Sequence, residues 1–187
     1  MARYPTLGRV KTRLAREIGR AGALRVYQRL LDHHMREFRH APFEVEWRYT
    51  PARAPFRNLV PGAMPQPGGG LGQRMKRIFE ESFARGYRRV VMIGTDAPEM
   101  SRATVRRAFG HLHNHAAVFQ PTHDGGYALI GLAAMLDVFS GIAWSTDRVM
   151  AKSRARLEES GVSFAELPPT FDVDTAADLA RMIRKKR

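Results

Sequence analysis

The sequence predicts an α/β sandwich of three layers built on a mainly parallel, mixed sheet. Three observations carry this. Short β-rich runs alternate with amphipathic helical segments along the whole chain. One apolar run, Val90-Val91-Met92-Ile93, breaks straight into Gly94-Thr95-Asp96-Ala97-Pro98, as a buried strand does where it delivers a side chain to its carboxyl end. Gly125-Gly126 lies between two strand patterns, where a tight turn allows antiparallel pairing.

The elements follow in order. Gly8 to Leu14 reads as a loop entering a helix, with no strand in the seven residues before it, so either the sheet lacks its first strand or the chain as given begins late. Residues 22 to 39 place Leu24, Tyr27, Leu31, Met35 and Phe38 on one stripe against Arg25, Arg29, Asp32 and Arg36, an amphipathic surface helix. Glu44 to Thr50 alternates as a half-buried strand. Pro51 to Gly70 carries five prolines and four glycines and is expected to be a functional loop or lid. Gln73 to Arg85 is helical, Gly86 stops it, and the strand at 89 to 93 follows. Ser101 starts a helix through Leu112. Strands are expected at 116 to 120 and 126 to 132, a helix at 145 to 159, a strand at 162 to 167, and a closing helix at 175 to 184, where Thr175 and Asp178 stand in capping-box positions.

At 187 residues the chain is expected to form one domain, 1–187. It contains no cysteine, which excludes disulfides and thiolate chemistry. The absence of a long apolar stretch and of a signal-peptide core points to a cytoplasmic protein with no membrane partner. The net charge of +13 invites a nucleic-acid-binding module. However, the arginines are spread over nearly every helix, and only Arg184-Lys185-Lys186-Arg187 is a dense cluster.

Four groups carry candidate chemistry. Arg9, Lys11 and Arg13 beside Gly8, at a helix start, suit a phosphate; they also suit a solvated basic face. Asp96 reads either as a metal ligand at a strand end or as a turn or cap residue. Asp124, with Gly125 and Gly126, either meets a ligand or only makes a hairpin turn. Asp172 and Asp174 alternate in an extended segment, so both carboxylates face one way, as a hard cation requires; Asp174 or Thr175 also suits a helix cap. His111, His113 and His115 are read as surface residues at a helix end. Three acidic groups and one cationic loop at strand ends fit Mg²⁺-assisted chemistry on a nucleotide diphosphate.

The succession Tyr4 to Leu14, Leu71-Gly72-Gln73-Arg74-Met75, Gly94 to Pro98, Asp124 to Leu132, Trp144-Ser145-Thr146-Asp147 and Asp172-Val173-Asp174-Thr175 resembles a bacterial family within the nucleotide-diphospho-sugar transferases. That family was long a domain of unknown function and is labelled as glycosyltransferases of the arsenosugar-biosynthesis type. The resemblance implies the GT-A fold and a metal-dependent transfer of a sugar from a nucleotide-sugar to a small acceptor, with Mg²⁺ or Mn²⁺. Relatives with this fold include nucleotidyltransferases, so transfer of a nucleoside monophosphate from a nucleoside triphosphate to a phosphorylated small molecule is the alternative. The resemblance implies nucleotide contacts from Gly8, Arg9, Lys11, Arg13 and Thr95. It implies metal ligation by Asp96 with Asp172 or Asp174, and an acceptor or sugar pocket at Asp124, Gly125 and Gly126. Family members begin with a hydrophobic strand where this chain has Met1-Ala2-Arg3, and carry an acidic residue where it has Gly70.

Overall fold

The computed structural model describes residues 1–185; Lys186 and Arg187, half of the basic terminal cluster, lie outside the described residues. The described residues form an α/β fold with two sheets and five α-helices. The chain divides into two compact units. One comprises Met1–Pro65, Gly94–Arg102 and the chain from Phe171; the other comprises Gln66–Ile93 and Ala103–Thr170.

The first unit contains β1 (Ala2–Arg3), α1 (Thr12–Phe38), β2 (Arg48–Thr50), a 3₁₀ turn at Phe56–Asn58, β3 (Met64–Pro65) and α5, the closing helix (Ala176–Arg184). Its sheet runs β1-β2-β3, parallel throughout. The strand not found in the sequence before Arg9 is therefore present, two residues long. Its Arg3 amide and carbonyl are both satisfied by one side chain, the Tyr27 hydroxyl, at 2.8 Å each. Sequence periodicity misses a strand this short because two residues contain no alternation.

Helix α1 starts ten residues before the predicted stripe and is interrupted at Gly19, whose φ of 77° and ψ of 158° lie outside helical space. One face buries Leu14, Ala23, Val26 and Leu30 in a core with Phe171 and Val173, while Tyr27 and Leu31 pack with Tyr49 and Phe56. The Pro- and Gly-rich segment carries a 3₁₀ turn and its own buried side chain. Phe56 is fully buried in it, stacked on Tyr49 at 5.1 Å and 5°, and supplies the apolar anchor that fixes the turn.

His34, wholly buried on α1, bonds the Leu30 carbonyl through Nδ1 at 2.8 Å, while Nε2 has no partner. Burial, the dominant cause, lowers its pKa from the usual 6.5 to about 4. The unfolded chain therefore takes up a proton below about pH 6.5 that the folded chain refuses until about pH 4, and stability falls across that window. From pH 7 to pH 4.5 the cost is about 2–3 kcal/mol by linkage. In urea melts at these two pH values, His34→Leu is expected to lose less stability than the wild type by that amount. Equal losses would refute the neutral buried imidazole.

The second unit contains α2 (Leu71–Ala84), β4 (Val90–Ile93), α3 (Arg102–His111, of which Arg102 belongs to the first unit), β5 (Ala117–Pro121), β6 (Tyr127–Leu132), α4 (Val149–Glu159) and β7 (Phe164–Glu166). The order is β4-β6-β5-β7, with β6 antiparallel to both neighbours and β5 parallel to β7. The hairpin at Gly125-Gly126 thus supplies the antiparallel pairing expected of it. Phe79, Phe119, Leu129, Ile130 and Leu132 are buried in its core. Among the described residues no helix is long and apolar enough to cross a membrane.

Candidate functional site

The amino end of α1 turns sharply. Gly8 has φ 71°, a conformation that favours glycine, and the Arg9 amide closes a turn on the Thr6 carbonyl at 3.0 Å. Lys11 stands at the N-cap with φ 47° and ψ 49°, left-handed space that a residue with a Cβ enters only when its surroundings hold it there. What holds it is ionic. Its ammonium pairs with Asp96 and also lies 3.3 Å from Asp174, and its side chain is only 3% exposed. Arg13, largely exposed, approaches the other Asp174 oxygen at 3.6 Å. Arg9 is exposed to solvent. The three cations therefore differ: one is buried between carboxylates and two face solvent.

Asp96 follows β4 by three residues, after Thr95, which is buried. The Thr95 hydroxyl lies 3.3 Å from that of Tyr27, so one tyrosine ties both β1 and this turn. The Asp96 carbonyl accepts from the Val173 amide at 3.1 Å, which fixes the Asp172–Asp174 segment alongside. Capping does not account for Asp96, since α3 starts only at Arg102, whose amide bonds Glu37 at 2.8 Å. Nor does it account for Asp174. Thr175 is the N-cap of α5 and forms the expected capping box with Asp178, whose carboxylate also accepts from the Asp174 amide at 3.1 Å. The Asp174 carboxylate is left for Lys11 and Arg13.

Burial opposes a charge on Lys11, but the fields of Asp96, Asp174 and Asp172 outweigh it and raise its pKa above the ordinary lysine value. The group is a full cation at any physiological pH. Asp96 and Asp174 are 46% and 37% exposed, so the carboxylates open to solvent while the ammonium does not.

The structure thus brings together Lys11, Arg13, Asp96 and Asp174, with Thr95 and Asp172 beside them, in the first unit. Asp124, Gly125 and Gly126 belong to the second unit and have their own surroundings. One Asp124 oxygen accepts from the Thr122 hydroxyl at 2.5 Å and the Gly126 amide at 3.3 Å, an Asx-type turn made with that oxygen alone. Gly125 has φ 85°, and a Cβ there would lie 1.9 Å from the Asp147 carbonyl oxygen; its own carbonyl accepts from the Met150 amide at 2.9 Å. Trp144 packs its ring directly on Gly72, where a Cβ would fall 2.1 Å from Nε1, and stacks on Phe139 at 6.3 Å.

A divalent cation is tested by the donors. Asp96 and Asp174 offer hard oxygens on a common cation, with the Lys11 ammonium as the ion now between them. Two carboxylates with substrate phosphate oxygens suffice for Mg²⁺, which seldom takes an all-protein cage. Among the described residues no three His, Cys, Asp or Glu side chains are grouped to hold a metal, so the fit is of this two-carboxylate kind. Sequence reading missed Tyr27, whose place on a helical stripe marks it only as core, and the direct contact of Lys11 with the carboxylates.

Comparison with known proteins gives three kinds of result. A family model described as an uncharacterized protein conserved in bacteria, DUF2064, matches residues 42–146. No protein of curated function matches the chain. Among solved structures, the chain is similar to a protein of Desulfovibrio desulfuricans G20 assigned to the nucleotide-diphospho-sugar transferases, with 32% identity and a TM-score of 0.92 over 99% of this chain and 84% of that one. It is similar in fold to 2-C-methyl-D-erythritol 4-phosphate cytidylyltransferase of Thermus thermophilus (20% identity, TM-score 0.57, 84% and 89% of the two chains). The same holds for Rv0371c of Mycobacterium tuberculosis H37Rv, solved in complex with manganese (20% identity, TM-score 0.51, 83% and 85%). The fold is that of the nucleotide-diphospho-sugar transferases.

Proposed function

The chain belongs to DUF2064, a family of uncharacterized proteins conserved in bacteria, and we propose that it is a metal-dependent glycosyltransferase that moves a sugar from a nucleotide-sugar to a small acceptor. The observation that carries this reading is the buried Lys11 ammonium shared by Asp96 and Asp174, with the exposed Arg13 beside them. Carboxylates for a cation and cations for a diphosphate are the two requirements of a nucleotide-sugar donor site. The 32% identical Desulfovibrio protein, assigned to the nucleotide-diphospho-sugar transferases, supports the same donor class. The narrower arsenosugar type rests on the motif resemblance and is part of the proposal.

Asp96 with Asp174 would hold the metal and Asp172 would add to the local negative field. When bound, the ion offsets charge that develops on the departing nucleoside diphosphate. Arg9, Arg13 and Lys11 bind and orient the phosphates, and they stabilise the same developing charge through preorganised N–H donors. Thr95, fixed by Tyr27, sets the position of Asp96. By the motif resemblance alone, Asp124 is proposed as the acceptor-side base, with Gly125 and Gly126 as contacts to the acceptor or sugar. The second reading is nucleotidyl transfer, favoured by the cytidylyltransferase of like fold.

The donor separates the two. Calorimetry with a panel of nucleotide-sugars and nucleoside triphosphates, with and without Mg²⁺ or Mn²⁺, is expected to show metal-dependent binding of a nucleotide-sugar. Selective binding of a triphosphate would transfer the conclusion to nucleotidyl transfer. Binding of neither at millimolar concentration would overturn both, and steeply salt-dependent binding to DNA or RNA would favour a nucleic-acid module instead.

A further inference from the structure

The Lys11 ammonium occupies the position where a cation must sit to neutralise Asp96 and Asp174 together. We propose that Lys11 makes metal binding conditional on the nucleotide: it is the resident counter-ion of the carboxylate pair and keeps a divalent ion out until phosphates arrive. This rests on the reading of the site as a metal–nucleotide centre and adds a rule for how it loads.

Three observations support it. The ammonium is buried, whereas Asp96 and Asp174 are open to solvent, so an incoming ion meets the carboxylates with a positive charge already fixed behind them. Like charges in a partly desolvated site repel far more strongly than in water, which lowers the affinity for the free metal. Arg13 does not take over the inner position, since it is 64% exposed and reaches only Asp174. The backbone of Lys11 is also held in left-handed space at the helix N-cap, so the side chain springs from a fixed base rather than from a loose loop. A diphosphate brings negative charge to the same cations. It gives the ammonium a further anionic partner and compensates the added charge of the metal, so metal and nucleotide each strengthen the other's binding by one common factor.

The test is Mn²⁺ binding in the absence of nucleotide, followed by EPR of the free ion, for the wild type and for Lys11→Met and Lys11→Arg. Lys11→Met is expected to bind Mn²⁺ alone at least about tenfold more tightly than the wild type, since one full opposing charge is removed. It is also expected to show a smaller gain in Mn²⁺ affinity on adding a nucleoside diphosphate, after correction for chelation by the nucleotide itself. Lys11→Arg, which keeps the charge, is expected to bind Mn²⁺ alone as weakly as the wild type. Equal or weaker Mn²⁺ binding by Lys11→Met overturns the proposal. If that variant does not fold, the wild type decides. The chain has five lysines, so the Lys11 ¹⁵Nζ resonance is readily assigned in lysine-labelled protein. It is expected to shift with Mg²⁺ plus a nucleoside diphosphate and to stay in place with millimolar Mg²⁺ alone. A shift with Mg²⁺ alone, or none with both, overturns the proposal. Failure of the nucleotide reading is separate: it shows as absence of nucleotide binding by the wild type, while the metal-only comparison still reports on Lys11.

Discussion

Asp96→Ala is expected to abolish the metal-dependent part of nucleotide binding while leaving a folded protein. Asp96 is the carboxylate at the strand end that pairs with Lys11, and it stands apart from the start of α3, where a cap would act. Its removal leaves Lys11 with Asp174, so the buried ammonium keeps one counter-ion and the core does not inherit an unpaired charge. The metal, by contrast, loses one of the two carboxylates that flank Lys11. Calorimetry with a nucleotide-sugar and Mn²⁺ should show affinity lower by about 100-fold, the upper end of what losing even a group that only supports a metal's ligands costs in metal affinity. The same titration without metal should change little, because Arg9 and Arg13 still face the phosphates. Circular dichroism and a cooperative melt would establish that the variant is folded. Undiminished metal-dependent binding in a folded Asp96→Ala would remove Asp96 from the site.

The largest effect on stability is expected at Gly125. Its φ of 85° penalises any side chain, and a Cβ would stand 1.9 Å from the Asp147 carbonyl oxygen, which is backbone and cannot swing aside. Moving it also breaks the 2.9 Å bond from the Met150 amide to the Gly125 carbonyl, at the entry to α4. Strain, clash and a lost hydrogen bond together put the cost of Gly125→Ala at about 3 kcal/mol or more. In a chain of this size that lowers the melting temperature by about 6–12 °C. Gly126→Ala is the internal comparison. That residue lacks positive φ, and its Cβ would lie 3.2 Å from a hydroxyl, so its melting temperature should fall by much less. A Gly125→Ala protein that melts with the wild type would show that the hairpin does not require the close approach.

Some of this was legible in the chain and some was not, for physical reasons. The Thr175–Asp178 capping box is a local device whose partners stand three positions apart, and it lies where the sequence placed it. The turn after Ile93 and the antiparallel hairpin at Gly125-Gly126 were equally readable, because glycine and a β-rich run act on their immediate neighbours. Strands β1 and β3, two residues each, left no periodicity to find. Phe56, in a stretch dominated by proline and glycine, is an anchor that composition hides.

At the site, the sequence nominated Lys11, Asp96 and Asp174 separately, each with a plain structural alternative. Only the fold joins them, across 163 residues between Lys11 and Asp174. The joining also changed what Lys11 is. Read as one of three cations for a phosphate or on a solvated basic face, it proves to be the buried counter-ion of the carboxylates, a distinction that no local pattern encodes. Gly125 shows the converse: its glycine was readable, but the reason includes Asp147, which sequence spacing does not reveal.

The most direct measurement of the central claim is paramagnetic broadening of backbone amides by Mn²⁺ in ¹⁵N-labelled wild-type protein supplied with a nucleoside diphosphate. Selective loss of the Lys11, Thr95, Asp96 and Asp174 signals, absent in Asp96→Ala, is the expected result. Broadening centred on any other part of the chain, or the same loss in Asp96→Ala, would contradict a metal–nucleotide centre at Asp96.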